Sequence, residues 1–376
     1  MTHFDRWKKT IVLSLLAPPL GYYAERMYQS LPTLTQNNAA CARPRAHVGV
    51  RTQPDTALPS LSIIVPARNE ADNLRYLLPS LNALQYNGRL EVIVVDDNSE
   101  DETAVVARAH RAQVIQLSEL PPGWLGKPHA MLHGAAAAQG DWLLFTDADT
   151  IHAPHGPEQA VRYAIEHNLD GLSLFLEQEC RGLSDRLALM AAFAGLFTAW
   201  KPNSAYLNGQ YMLLRRDVYE ASGGITAVRG ESLEDVALGH HLQKLGYRVQ
   251  MMRGEQAAQV RMYRDNQQMW HGMNRLGSQS LRFSGLRALI TVFFITIAMN
   301  PLLVLVAVMS GNVRRRWLPL TWGAVVLGFI PWARRYGSPW YAAFSPVGAL
   351  VVQLAGFWGL LRRVFKKGIT WKGRMV

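Results

Sequence analysis

The chain has 376 residues and a formal net charge of +11, from 39 Lys and Arg against 28 Asp and Glu. The excess is confined to one end: the last acidic residue is Asp265, and from Leu276 onward 13 basic residues stand without an Asp or Glu. Those basic residues flank long apolar runs, which points to anionic lipid head groups and excludes a nucleic-acid partner.

The N-terminal segment, residues 1–30, has an apolar run from Ile11 to Ala24 behind Arg6, Lys8 and Lys9, interrupted by Pro18-Pro19. It reads as a membrane anchor, since no small-residue cleavage site follows. Residues 31–60 are rich in Pro, Thr, Gln, Asn and Arg without periodicity and read as a linker. A first domain is expected over 61–275. It opens on a short strand, Leu61–Val65, stopped by Pro66. A helix follows, with Leu74, Leu77, Leu78, Leu81 and Leu84 at helical spacing and a kink expected at Pro79. The strand Glu91–Val95 runs into Asp96-Asp97-Asn98-Ser99, and Ser99 is the expected cap of the next helix. A strand over Val114–Leu117, a Pro-Pro-Gly turn and an Ala-rich helix over Met131–Ala138 lead to the apolar strand 142–146, which ends in Asp147-Ala148-Asp149. Strands over Leu172–Leu176 and Tyr211–Leu214 and a helix over Leu233–Leu245, closed by Gly246, complete the series. Strand and helix alternating at these intervals predict an α/β fold with a parallel sheet. The helix Leu183–Trp200 reads equally as an interfacial or a core helix.

A membrane domain is expected over 276–376. Leu286–Met309 and Trp340–Leu361 are each long enough to cross a hydrocarbon core, which takes roughly 20 residues. Leu318–Ala333 is shorter and broken by Pro319 and Pro331, so it reads as re-entrant or interfacial, or as an ordinary buried helix. Three full spans would leave the basic tail outside, against the positive-inside rule, whereas two spans keep it inside. The two cysteines, Cys41 and Cys180, form no ligand spacing, so a reducing compartment without structural zinc is expected.

Four acidic clusters carry the chemistry. Pro66-Ala67-Arg68-Asn69-Glu70 ends the first strand, where backbone and carboxylate can hold a nucleoside or simply cap a helix. Asp96 and Asp97 end the second strand and can accept hydrogen bonds from a base N–H or a ribose. Asp147 and Asp149 can hold a divalent cation and, through it, a diphosphate, although a solvated turn is the simpler reading of that octapeptide alone. Glu234-Asp235 opens a helix, where one carboxylate can serve an acceptor hydroxyl as general base or merely complement the helix N-terminus. His129 and His133 lack the Glu of a zinc motif and read as helix surface.

On Ile64-Val65-Pro66-Ala67-Arg68-Asn69-Glu70, Val94-Val95-Asp96-Asp97-Asn98-Ser99, Asp147-Ala148-Asp149 and Glu234-Asp235, the chain resembles the inverting glycosyltransferases of family 2. The resemblance implies a GT-A fold: a doubly wound, mostly parallel sheet, here with C-terminal transmembrane helices. It also implies a nucleotide-sugar donor (usually UDP-linked), Mg²⁺ or Mn²⁺, and displacement with inversion. It implies that Pro66, Arg68, Glu70, Asp96 and Asp97 lie on the nucleoside, that Asp147 faces the donor sugar and ribose, that Asp149 ligates the metal, and that Asp235 is the base. The segment Gly123-Trp124-Leu125-Gly126-Lys127 further resembles the bacterial carotenoid- and hopanoid-associated membrane glycosyltransferases, as do Asn208-Gly209-Gln210-Tyr211 and Trp270-His271-Gly272. Lys127 is then expected at the diphosphate, and Trp124, Gln210, Glu234 and Trp270 on the acceptor side. Processive synthases of the family carry Gln-x-x-Arg-Trp, and Asn266-Gln267-Gln268-Met269 before Trp270 departs from it, which favours transfer of one sugar. The expected enzyme sits in the cell membrane as a multi-pass protein with its catalytic domain in the cytoplasm. A non-catalytic membrane scaffold, or transfer to a polyprenyl phosphate, are the alternatives.

Overall fold

The computed structural model describes residues 10–12, 14–34, 57–198, 206–231, 233–276, 300–365, 370–371 and 374–375. The chain divides into two units, one comprising 31–179 and 203–261, the other 1–30, 180–202 and 262–376.

The first unit is built on a seven-stranded sheet. Its strands are β1 (Leu61–Ala67), β2 (Leu90–Asp97), β3 (Gln113–Leu117), β4 (Trp142–Thr146), β6 (Gly171–Phe175), β8 (Tyr211–Arg215) and β9 (Val249–Arg253), in the order β3-β2-β1-β4-β8-β6-β9. The β3–β2, β2–β1, β1–β4 and β6–β9 pairs are parallel, and β8 runs antiparallel between β4 and β6. A small second sheet joins β5 (Thr150–His152), β10 (Ala258–Val260) and β7 (Glu177–Gln178). The architecture is therefore mixed α/β with a mostly parallel central sheet.

The central strands read as unbroken apolar runs because both faces are covered. Ile64, Ile93, Val95, Leu143, Phe145, Met212 and Leu214 face one core with Ala130, Met131 and Leu238, while the alternate residues Ile63, Val65, Val94 and Leu144 are just as buried. Each such side chain contributes about 1.5–3 kcal/mol by leaving water. The helix Gly126–Ala137 lies so close to β1 that a Cβ on Gly134 would come within 2.3 Å of Ile64 Cγ2.

Several local expectations are corrected. β1 does not stop at Pro66 but continues to Ala67, pairing Pro66 with Val95. The β4 ladder reaches only Ile64, so beyond it β1 is paired on one side and tolerates a residue without an N–H. Leu84 lies past the end of the helix Ala71–Asn82. Ser99 does not cap the helix Thr103–Ala109. Asp101 accepts from the Thr103 amide, while the Ser99 hydroxyl accepts from the Asn69 amide instead. The Ala-rich helix starts at Gly126 rather than Met131, which puts Lys127 in its first turn. Residues 31–34, the start of the polar stretch, lie against β9: Leu34 N–H donates to the Arg253 carbonyl and Arg253 N–H to that of Pro32. The remainder, 35–56, lies outside the described residues.

The second unit is helical. Pro18 and Pro19 open the helix Ala17–Gln29 rather than break it, because prolines fit a helix's first turn. Tyr28 packs edge-on to Phe197 of the helix Leu183–Thr198 (ring centroids 5.1 Å apart) and 5.9 Å from Trp332 of the helix Trp317–Arg335. Arg335 lies 3.8 Å over the Tyr28 ring and pairs with Glu25 at 2.6 Å. Leu183–Thr198 thus buries Leu187, Met190, Ala194 and Phe197 as a core helix. The stretch expected to be proline-broken is one continuous helix, with Pro319 in its first turn and Pro331 inside it. Residues 286–299 of the first expected span lie outside the described residues, and Pro301–Met309 is helical. Among the described residues, one stretch, Pro339–Val364, is long and apolar enough to cross a membrane.

Candidate active site

Because β1, β2 and β4 are parallel, Ala67, Asp97 and Thr146 all end at one edge of the sheet. Antiparallel β8 begins there, with Tyr211 paired to Thr146, so Asn208-Gly209-Gln210 joins the same edge. Open α/β sheets receive ligands at this carboxyl edge.

The ends of β1 and β2 are knitted together. Arg68 Nη1 donates to the carbonyls of Asp97 and Asn98 at 2.8 and 2.7 Å. The Glu100 amide donates to Asn69 Oδ1, and the Glu70 amide to Thr103 Oγ1, both at 2.8 Å. Asn69 and Asn98 adopt left-handed backbone, with φ of 53° and 54°, a conformation Asn tolerates better than most residues. Arg68, expected on the nucleoside, thus fastens one loop to the other. Asp96 is engaged similarly: its carboxylate accepts from the Ser99 amide at 3.0 Å and from Gln116 Nε2 at 3.2 Å. Asp97 is buried, and Glu70 accepts from Asn73 Nδ2 at 2.6 Å. Pro66 is half-buried within β1.

The structure brings together Lys127, Asp147, Gly209, Glu234 and Asp235 from four separate segments. Lys127 Nζ lies 2.6 Å from Asp147 Oδ1, 3.4 Å from Glu234 Oε1 and 3.3 Å from the Gly209 carbonyl. Asp235 accepts the Gly209 amide at 2.7 Å through Oδ2 and the Val236 amide at 2.8 Å through Oδ1. Burial by itself would lower the pKa of Lys127. The carboxylates of Asp147, then Glu234 and Asp235, override it and hold the ammonium above the ordinary lysine range. Asp149 lies beyond Asp147, half-buried, with its carbonyl accepting from the Arg261 amide at 3.0 Å. Gln210 is buried, and its carbonyl accepts the Thr146 hydroxyl at 3.0 Å.

A substitution tests this assembly directly. A Cβ on Gly209 would stand 2.8 Å from Lys127 Nζ and 3.1 Å from Asp235 Oδ2. Gly209→Ala is expected to push the Lys127 tip off the carboxylates and to lower turnover far more than the melting temperature, as read by kinetics and thermal unfolding on one preparation. Equal losses in both would make Gly209 a packing position only.

Trp124 sits beside this cluster in sequence and packs 5.7 Å from His129, with the Arg229 guanidinium 5.1 Å over its ring. Arg229 also donates to the carbonyls of Pro122 and Gly123, so it fixes the Pro-Pro-Gly turn, a role no local pattern around it signals. His129 is buried rather than on the helix surface, with its Nε2 3.1 Å from His133 Nε2. Trp270 belongs to the helical unit, in a helix over 266–276.

Among the described residues, no group of three or more His, Cys, Asp or Glu side chains could hold a metal ion. At the end of β4, Asp147 and Asp149 offer two carboxylates one residue apart. That set fits an ion of the Mg²⁺ type, which is ordinarily held by one or two carboxylates together with substrate phosphates rather than by an all-protein cage.

The family described as Glycosyl transferase family 2 matches residues 62–223. The 4,4'-diaponeurosporenoate glycosyltransferase of Staphylococcus aureus (strain MRSA252) is 29% identical over 218 residues, covering 55% of this chain and 57% of the relative. That of Staphylococcus haemolyticus is 30% identical over 217 residues, covering 54% and 57%. The chain thus matches a little over half the length of these curated relatives. A mannosyltransferase from Pyrobaculum calidifontis, solved with GDP-Man and Mn²⁺, aligns over 96% of this chain and 99% of its own at 18% identity, with a TM-score of 0.53, which shows a shared fold. β1, β2, β4 and the acidic ends of those strands all lie inside the residues that match glycosyl transferase family 2.

Proposed function

We propose that the protein transfers a single sugar from a nucleotide-sugar, UDP-linked, to the hydroxyl of a hydrophobic acceptor, with inversion and with a divalent cation. One observation carries the reading: Lys127 joins Asp147, at the end of β4, to Glu234, at the head of the helix that also bears Asp235. In this reading a donor-side carboxylate and an acceptor-side pair face one ammonium at the carboxyl edge of the sheet. The family match over residues 62–223 and the curated relatives named for 4,4'-diaponeurosporenoate support a transferase acting on an apolar acceptor.

In this mechanism Glu70 and Asp97, at the ends of β1 and β2, hold the nucleoside, and Arg68 and Asp96 keep those two loops in register. Asp149, with Asp147 beside it, would hold Mg²⁺ or Mn²⁺, which when bound would supply Lewis-acid neutralisation of the diphosphate. Lys127 would exchange Asp147 for the diphosphate and help to compensate the same charge. Asp235, oriented by the Gly209 and Val236 amides, takes the acceptor hydroxyl proton as that oxygen attacks the anomeric carbon. Glu234, Gln210 and Trp124 border the acceptor.

The acceptor and the enzyme share a bilayer in this reading. Apart from Tyr76, Val105 and Leu245, every exposed large apolar side chain among the described residues lies in the helical unit, including Trp340, Phe344, Trp358 and Phe365. Such an apolar surface, with Arg314-Arg315-Arg316 and Arg362-Arg363 near it in sequence, suits insertion into anionic lipid. The catalytic unit faces the cytoplasm, where the donor is made.

Detergent-solubilised full chain, incubated with a panel of nucleotide-sugars and Mn²⁺ or Mg²⁺, is expected to release nucleoside diphosphate from one donor. Release should rise with lipid extract and vanish with chelator. Silence across the panel in folded protein would leave a non-catalytic scaffold. Flotation is expected with phosphatidylglycerol vesicles more than with phosphatidylcholine vesicles, and a protein staying at the bottom of both gradients would remove the membrane from the proposal.

A further inference from the structure

Beneath the Asp147-Ala148-Asp149 turn lies a polar cluster to which the proposed chemistry assigns no task. Thr146, Thr150 and His152 are each at most 4% exposed. Thr150 Oγ1 stands 2.8 Å from the Asp147 carbonyl, 3.0 Å from Thr146 Oγ1 and 3.3 Å from His152 Nε2. Thr146 Oγ1 stands 3.0 Å from the Gln210 carbonyl and 3.1 Å from the same imidazole nitrogen.

Counting protons decides how these groups bond. A hydroxyl has one proton to give, and a carbonyl can only accept. The two hydroxyl–carbonyl contacts can form only with the hydroxyls donating, so filling both sends the Thr150 proton to the Asp147 carbonyl and the Thr146 proton to that of Gln210. In that arrangement neither hydroxyl has a proton for the ring, and His152 Nε2 carries one and shares it between the two hydroxyl oxygens. The other ring nitrogen, Nδ1, is then bare, and among the described residues it has no hydrogen-bond partner. The opposite tautomer would bury an unmet Nδ1–H and point a nitrogen lone pair at two oxygens, a penalty of about 1–3 kcal/mol for the unmet donor alone. Burial lowers the pKa of His152 to about 4, which keeps a second proton off the ring. The ring has little room to turn, since it packs 5.6 Å from Tyr211, while the backbone amide of His152 donates to Ser80 Oγ at 3.1 Å.

We propose that His152 is a positioning residue: as a neutral Nε2–H imidazole it fixes the two threonine hydroxyls that hold the carbonyls of Asp147 and Gln210, and so sets the direction of the acidic turn toward the donor diphosphate. Its effect on turnover rests on the function proposed above, whereas its tautomer does not.

The test is therefore twofold. In full-length protein labelled with ¹⁵N-histidine, with His152 identified by its absence in His152→Gln, the ring is expected to be protonated at Nε2 alone from about pH 5 to 8, where an unperturbed histidine would change charge. His152→Phe keeps a ring and removes the donor. It is expected to lower kcat/KM about 10- to 100-fold, the usual effect of losing an outer-shell partner, with a matching loss of affinity for Mn²⁺ and nucleoside diphosphate measured without acceptor. His152→Gln, which offers an N–H again, is expected to recover part of both. A ring protonated at Nδ1, a charged ring, or a Phe variant with wild-type kcat/KM would overturn the inference. A wild-type protein silent on every donor, yet with the expected tautomer, would overturn the proposed function and leave the hydrogen-bond arrangement standing.

Discussion

Asp235→Asn is expected to lower the rate of sugar transfer by about 10²- to 10⁴-fold, the range that a positioned general base supplies. The carboxamide keeps the shape of the carboxylate and can still offer its oxygen to the Gly209 amide, now 2.7 Å from Oδ2, while its NH2 replaces the oxygen that accepts the Val236 amide. The loss should therefore be far larger in turnover than in stability. Asp149→Ala is expected to be as severe for a different reason. It removes one of the two carboxylates at the end of β4 that can hold a divalent cation, and leaves Asp147 already engaged with Lys127. The two variants separate in binding. Asp235→Asn should bind nucleotide-sugar as the wild type does, whereas Asp149→Ala should lose the metal-dependent part of that affinity. Single-turnover release of nucleoside diphosphate, with calorimetric titration of the donor, reads both. A transfer rate near wild type in either variant would remove that residue from its role.

Three of the four acidic clusters can be located from the chain alone because each follows a buried strand, and buried strands are legible as apolar runs. Leu143, Leu144 and Phe145 before Asp147, or Val92 to Val95 before Asp96, announce both the strand and the edge where it ends. What the chain does not announce is which of these residues fasten one loop to the next. Asp96 and Arg68 look as functional as Asp97 and Glu70, yet each spends hydrogen bonds on fastening neighbouring loops. Pairings of that kind depend on a turn's dihedral angles, which the left-handed Asn69 and Asn98 supply and no periodicity reveals. The same applies to capping: Ser99 stands in a good position for a cap, but Asp101 is nearer the true helix start at Thr103. Prolines in both units stand inside elements that they would be expected to end. Pro66, Pro319 and Pro18-Pro19 sit where a missing N–H matters little, in a one-sided ladder or a first helical turn. Lys127 posed the hardest case, because its partners come from distant parts of the chain and meet only through the antiparallel insertion of β8.

Lys127 is also the position at which a single change should disturb donor binding and stability together. Its ammonium is the cation bonded within a ring of Asp147, Glu234 and the Gly209 carbonyl, with Asp235 close enough to add to the field. Lys127→Met would leave those carboxylates facing one another. Removing one partner of a fully buried ion pair costs about 3–5 kcal/mol, and the cost here should be nearer 1–3 kcal/mol because Lys127 and Asp147 each keep roughly a third of their surface. The sign of the pH dependence follows from the raised pKa. A lysine held above its unfolded value of about 10.4 contributes its full stabilisation below that pH and loses it as pH climbs from there through the folded value. The gap in melting temperature between wild type and Lys127→Met should accordingly stay constant from about pH 7 to 10 and narrow above. Glu234→Gln in the Lys127→Met background should recover part of the loss, with a coupling of about 0.5–3 kcal/mol as expected of groups in contact. For the donor, the variant removes a cation and exposes negative charge where a diphosphate must bind, so kcat/KM should fall about 10²- to 10³-fold, the scale of losing one preorganised electrostatic group. Lys127→Arg should not rescue it, since a planar guanidinium cannot occupy the compact position between Asp147 and Glu234. An unchanged donor KM in Lys127→Met, with only its melting temperature lowered, would confine Lys127 to holding the free enzyme together and return the neutralisation of the diphosphate to the metal alone.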